Sequence, residues 1–125
     1  MMELPKLMLI ARGRAPMVQL QEMWSQSDCA QLYELVGPRR LRSMLDICEA
    51  LLMNNPAVVV IGDGFGKQPF SGDELVKRVR SVNAGCRIIV CITSEVFATA
   101  IHSEVDFRIE GSPEELRAAL LTIRS

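Results

Sequence analysis

Ala57-Val58-Val59-Val60-Ile61 and, further along, Arg87-Ile88-Ile89-Val90-Cys91-Ile92-Thr93 are the stretches on which the fold turns. Both are short, nearly all apolar and rich in β-branched residues, and neither alternates apolar with polar positions. A strand with one face in water alternates, whereas a strand covered on both faces does not. The two runs therefore predict a central parallel sheet with layers on either side.

Outward from these runs, Lys6 to Ala11 reads as a first strand, and Gln31 to Val36, less apolar, suits a strand nearer the edge. Val105 to Ile109 completes a set of five. Helical patterns fill the intervals. Leu41, Met44, Leu45, Cys48 and Leu52 follow the i, i+3, i+4, i+7, i+11 series, which predicts one apolar stripe packed on the sheet. Met17, Leu20 and Trp24 form a second stripe. Leu75, Val79 and Val82 form a third, behind a capping-box pattern of Ser71 with Glu74. A short helix is expected around Ser94 to His102. The last helix is the best defined: Ser112 suits the N-cap and Pro113 the first helical position. Glu114 and Glu115 complement the dipole, and Leu116, Ala119, Leu120 and Ile123 share a face. Strand and helix alternating five times predict a doubly wound α/β sandwich with right-handed crossovers and helices on both faces.

With 125 residues the chain suits one domain spanning 1–125, since domains commonly run to about 100–150 residues. Apolar residues at 49% and charged residues at 23% match a packed globular chain rather than a disordered one, and folding should need no cofactor. The 14 basic and 15 acidic residues leave a net charge of -1, which gives no bulk attraction to nucleic acid or to an anionic membrane. No helix pattern carries a basic reading face on a helix-turn-helix scaffold, so DNA binding by this domain is not expected. The apolar runs fall far short of the roughly 18 residues a membrane span needs, and the N-terminus lacks signal-peptide character. A cytoplasmic location is the expectation. Cys29, Cys48, Cys86 and Cys91 are not spaced as C-x-x-C, and His102 has no cysteine nearby in sequence. Four buried thiols and no metal site are expected.

In the second half of the chain the motifs take on a family likeness. Pro56 to Asp63 is similar to a buried third strand ending at a phosphoacceptor aspartate. Ser71, Gly72, Glu74 and Leu75 resemble an S/D-G-x-E-L helix start, Asp106 and Phe107 an A-D-x-Y/F entry to strand five, and Ser112 to Leu116 an S-P-E-E-L helix start. In order and spacing these resemble the bacterial response-regulator receiver domain of two-component systems. The resemblance implies a flavodoxin-like fold with strand order 2-1-3-4-5. It also implies an acidic pair after strand one that holds Mg²⁺, an aspartate nucleophile after strand three, a Thr or Ser after strand four, and a lysine after strand five. Here Ala11, Arg12 and Gly13 stand where the acidic pair belongs, and their side chains offer a hard divalent cation no oxygen ligands. The aspartate position falls on Gly62, or on Asp63 after a one-residue slip. Thr93 stands at the hydroxyl position, with a structural reading beside the functional one because threonine suits strand ends. Ile109 or Glu110 takes the lysine position. Asp63 with Thr93 is thus a vestigial phosphoacceptor candidate in a degenerate, pseudo-receiver member.

In open doubly wound sheets ligands favour the crevice at the carboxyl ends of the strands. Arg12 and Arg14 follow strand one, Arg39, Arg40 and Arg42 follow strand two, and Lys67 follows strand three, so basic residues gather at that edge, where helix N-termini also favour anions. The loop Gly62 to Lys67 could let backbone amides approach phosphate, or be a plain turn, since it completes no nucleotide-binding motif. The functional expectation is a phosphorylation-independent module that docks a protein partner, through the Ser94–His102 helix, the last helix and the last strand as the resemblance implies. It would act alone or as one domain of a longer protein, and homodimerisation is compatible with either. The alternative is a sensor that holds an anionic ligand such as a nucleotide with Arg12, Arg14, Arg39, Arg40 and Lys67. An enzyme is disfavoured because no nucleophile is paired with a base.

Overall fold

The structure is a computed structural model and describes residues 3–36, 43–62, 72–92 and 104–124. Five parallel strands form one sheet in the order β2-β1-β3-β4-β5, the flavodoxin-like arrangement. They are β1 (Lys6–Ile10), β2 (Glu34–Val36), β3 (Val58–Ile61), β4 (Arg87–Cys91) and β5 (Phe107–Ile109). The helices are α1 (Arg14–Gln26), α2 (Met44–Asn54), α3 (Gly72–Val82) and α4 (Pro113–Arg124). The two runs that decided the fold are neighbours at the centre, with Val58 opposite Arg87 and Ile61 opposite Val90. All four residues of β3 are buried, as a strand covered on both faces requires. The outer strands β2 and β5 have three residues each, shorter than the apolar patterns of 31–36 and 105–109. The expected helix at Ser94–His102, and the capping residue Ser71, lie outside the described residues.

Side-chain alternation sorts the core into two layers. Met8, Ile10, Val59, Ile61, Ile88 and Val90 point to the side covered by α2 and α3. Leu7, Leu9, Val58, Val60, Ile89 and Cys91 point to the side covered by α1 and α4. In α1, Met17, Leu20, Met23 and Trp24 are buried, the expected stripe widened by one methionine. In α4, Leu116, Ala119 and Leu120 are buried, and Ile123 packs half-buried against the same layer. Full burial of a leucine such as Leu116 contributes about 1.5–3 kcal/mol.

The α2 stripe is corrected. Its inward residues are Ile47, Ala50 and Leu51, with Met44 half-buried, whereas Leu45 is 66% exposed, Leu52 70% and Met53 83%. Cys48 is half-buried while Cys29, Cys86 and Cys91 are buried, so three of the four thiols follow the expectation and all four are free. The reason is compositional. Apolar residues run almost all the way round α2, so periodicity admits two faces, and only contact with the sheet and α3 selects between them.

Polar contacts fix the ends of the elements. Ser112 Oγ accepts from the Glu115 amide at 3.1 Å, and Glu115 accepts in return from the Ser112 amide at 3.4 Å and the Glu110 amide at 3.1 Å. This is a reciprocal capping box at the start of α4. Ser43 Oγ caps α2 by accepting from the Asp46 amide at 3.2 Å. Arg117 donates to the Ser27 and Asp28 carbonyls, both at 3.2 Å, and Arg124 donates to the Leu32 carbonyl at 2.7 Å, so α4 also grips the turn between α1 and β2. Ser112→Ala is expected to cost about 1 kcal/mol. Urea denaturation would register this as a lower midpoint at unchanged slope.

Candidate functional site

The carboxyl edge of the sheet is where the fold class places ligands. Among the described residues it is built from Ala11 and Arg12 after β1, Gly62 after β3, Ile92 after β4, and Glu110 and Gly111 after β5. The ladders run out to this edge: the Gly62 amide donates to the Ile10 carbonyl and the Ile92 amide to the Ile109 carbonyl, both at 2.7 Å. Ala11, one of the residues standing where the receiver resemblance expects carboxylates, is 2% exposed and packs into the α1–α4 layer.

Gly62 has a packing reason to be glycine. A Cβ placed on it would lie 2.8 Å from Leu20 Cδ1 and Cγ and 3.0 Å from Leu20 Cδ2. Leu20, 2% exposed on α1, therefore fills the volume that a side chain at position 62 would need. At the position where direct counting from Pro56 puts the phosphoacceptor, the side-chain space belongs to a leucine. Asp63 and Thr93, the other residues of the vestigial site, lie outside the described residues.

Of the five cations assigned to an anion site, Arg39, Arg40 and Lys67 also lie outside the described residues. Arg12 and Arg14 stand at the start of α1, Arg12 half-buried and Arg14 exposed. Gly13 is the N-cap of that helix, at φ 98°, a left-handed value that favours glycine. Among the described residues no side chain caps the helix start, and no acid occupies its first turn.

Beside this edge, between α1 and the start of α4, the surface opens into a cleft of about 300 Å³. Among the described residues its apolar lining includes Pro16, Leu20, Met23 and Pro113, with Gly62 and Cys91 contributed by the sheet. Its polar lining consists of Gln19, Glu22 and Gln26 on successive turns of α1 and Glu110 after β5. Neither Arg12 nor Arg14 is among the described lining residues, so the described cations and the cleft do not coincide. Sequence reasoning missed the cleft because its two walls are about 85 residues apart along the chain.

At the opposite edge, Asp106 precedes β5 and accepts two hydrogen bonds beside an ion pair. The Ile88 amide donates to it at 2.7 Å and Arg87 Nη1 at 3.1 Å, and Arg80 Nη2 pairs with it at 3.6 Å. Burial alone would push this carboxyl up, but the Ile88 amide and the two guanidiniums outweigh burial and hold it below the usual carboxylate range. The neighbouring Cys86 thiol is pushed up to about 11, first by burial and then by the Asp106 carboxylate, with Arg80 opposing. It is therefore a protonated packing group at neutral pH. Asp106 and Phe107, which carried part of the receiver resemblance, are thus an anchor for the edge strand and a half-buried aromatic packed on the α1–α4 layer.

Among the described residues no group of three or more His, Cys, Asp or Glu side chains is placed to hold a metal ion. Nor is any described helix long and apolar enough to cross a membrane. Compared with known proteins, the chain matches no protein-family model and no curated sequence.

Proposed function

We propose that this chain is a receiver-like signalling module of the cytoplasm that acts by docking another protein, without phosphotransfer. The observation that carries this reading is the outward face of α2. Leu45, Leu52 and Met53 are each two-thirds or more exposed, and they stand on one continuous helix beside the half-buried Cys48. Scattered exposed leucines are ordinary, but large apolar side chains grouped on one helix face are the kind of surface a partner covers. The receiver resemblance favours docking at the Ser94–His102 helix, which lies outside the described residues, and at the last helix and the last strand, where in α4 only Leu121 is a strongly exposed large apolar residue, at 45%. We therefore place the contact on α2. Independence from phosphorylation draws on Leu20 occupying the space over Gly62 and on Ala11, Arg12 and Gly13 replacing the acidic pair. No reaction is assigned to the chain, and neither nucleic acid nor membrane is a partner in this reading.

Leu52→Asp with Met53→Asp tests it. Both positions are exposed but lie in the last turn of α2, where aspartate opposes the helix dipole, so a melting temperature several degrees below wild type with the fold retained is expected. Wild-type and variant baits at equal loading are compared by native capture and mass spectrometry. The reading expects one protein retained by wild type and reduced at least about tenfold by the variant. Identical retained sets would contradict docking at α2, and loss of self-association alone, seen by sedimentation, would make the partner a second copy.

A second reading, a sensor of anionic ligands such as nucleotides, has one specific observation in its favour. The uncapped, acid-free start of α1 carries Arg14 at its first position, with Arg12 two residues before it. A cation there opposes the helix dipole unless an anion joins both. A nucleotide that raises the melting temperature of wild type and not of Arg12→Ala would favour this reading over docking.

A further inference from the structure

We infer that the cleft between α1 and α4 is a binding site for an organic cation, an ammonium or guanidinium group carried on an aliphatic chain. Its volume of about 300 Å³ lies at the lower end of the range for small-molecule sites, which suits a narrow chain better than a fused ring system. Leu20, Met23 and the rings of Pro16 and Pro113 give the described lining an apolar part that methylene groups can cover. The charge in the described lining has a single sign. Glu22 comes from α1 and Glu110 from the segment after β5, so two elements distant in sequence bring acidic residues to the lining of one volume. Neither side chain makes an ion pair or hydrogen bond among the described residues, and no described lining residue is Lys or Arg. Gln19 and Gln26 add carboxamides that can accept further N–H donors.

The start of α4 also faces this region, and its dipole alone would repel a cation. That end is already answered: Glu115 accepts from the Ser112 and Glu110 amides, and hydrogen bonds from those amides hold its carboxyl below the ordinary range. The Glu22 and Glu110 carboxylates are therefore free to meet a ligand rather than the helix. Like charges around a concave, partly apolar surface raise the local concentration of the opposite charge, and the apolar lining then selects cations that carry hydrocarbon over hydrated metal ions. This site is separate from the α2 face, and its ligand would be bound with or without a docked protein. The cation could be a free amine or a lysine or arginine side chain presented by a peptide.

The test is a melting series at pH 7 and low ionic strength with agmatine, with spermidine, and with a short uncharged-flank peptide carrying one lysine. MgCl₂ at matched ionic strength is the control. The site predicts that at least one of the three probes raises the melting temperature by roughly 5 °C at ten times its Kd, and that MgCl₂ does not. A response to agmatine or spermidine alone identifies a free amine as the ligand, and a response to the peptide alone identifies a presented side chain. Glu22→Gln with Glu110→Gln should leave the unliganded melting temperature unchanged, because both residues are exposed, and weaken titrated binding by about tenfold or more. Leu52→Asp should leave it intact. The inference is overturned if no probe shifts the protein, if MgCl₂ gives the same shift, or if the double Gln variant binds as wild type does.

Discussion

Gly62→Asp, which places a carboxylate where counting from Pro56 puts the phosphoacceptor, is expected to lower the melting temperature by about 10 °C or more and to confer no phosphorylation. The first cost is steric. With Leu20 atoms 2.8 Å from the new Cβ, α1 must move away from the sheet or Leu20 must leave its rotamer, and overpacking of this kind costs about 1–3 kcal/mol. The second cost is electrostatic, since a carboxylate at this buried position gives up several kcal/mol of hydration. Against a typical total stability of about 5–15 kcal/mol the sum is large. Gly62→Ala isolates the steric part. Leu20→Ala alone opens a cavity at about 2–5 kcal/mol, but in the Gly62→Ala background the added methyl group occupies part of that cavity. The double variant should therefore be more stable than the sum of the single effects predicts, by about 1–2 kcal/mol. Strict additivity in urea denaturation would mean that Leu20 does not hold that space.

The second large effect belongs to Asp106. Asp106→Asn keeps an acceptor near the Ile88 amide but removes the charge that Arg87 and Arg80 pair with, and at pH 7 it should cost about 2 kcal/mol, in the range for hydrogen bonds to charged groups. The sign of its pH dependence follows from the lowered folded-state pKa. The unfolded carboxyl takes up its proton near pH 4 and the folded one only below that. The stabilisation is thus fully present above about pH 4 and disappears as the pH falls through the folded value. The difference between wild type and Asp106→Asn should be constant from pH 7 to 5 and shrink steadily towards pH 2. A difference that does not shrink as the pH falls below about 4 would show that Asp106 acts through shape rather than charge.

The sheet was legible because unbroken β-branched runs such as 57–61 have few other stable destinations than the middle of a parallel sheet, and both neighbouring layers follow from that. The capping box at Ser112 and Glu115 was equally local, since each partner lies within one turn of the other. The orientation of α2 was not legible: Leu45, Ile47, Leu51 and Leu52 are interchangeable by hydropathy, and the choice of Ile47 and Leu51 is made by distant contacts. The space conflict at Gly62 was hidden for a related reason. A glycine at a strand end signals a turn in sequence, and only the packing of Leu20 from α1 shows that it is also a close approach. The cleft escaped notice because Glu22 and Glu110 come to line one volume only through the packing of α1 beside α4.

The central claim, a receiver-shaped module without phosphotransfer chemistry, is tested most directly by ¹⁵N–¹H correlation spectra of the full chain with and without Mg²⁺ and beryllofluoride, the phosphoryl mimic. The account predicts that the amide resonances of Ile61, Gly62 and Ile92 at the carboxyl edge of the sheet, and of Glu110 after β5, stay in place. Saturable shifts of those amides, requiring both Mg²⁺ and beryllofluoride, would contradict it.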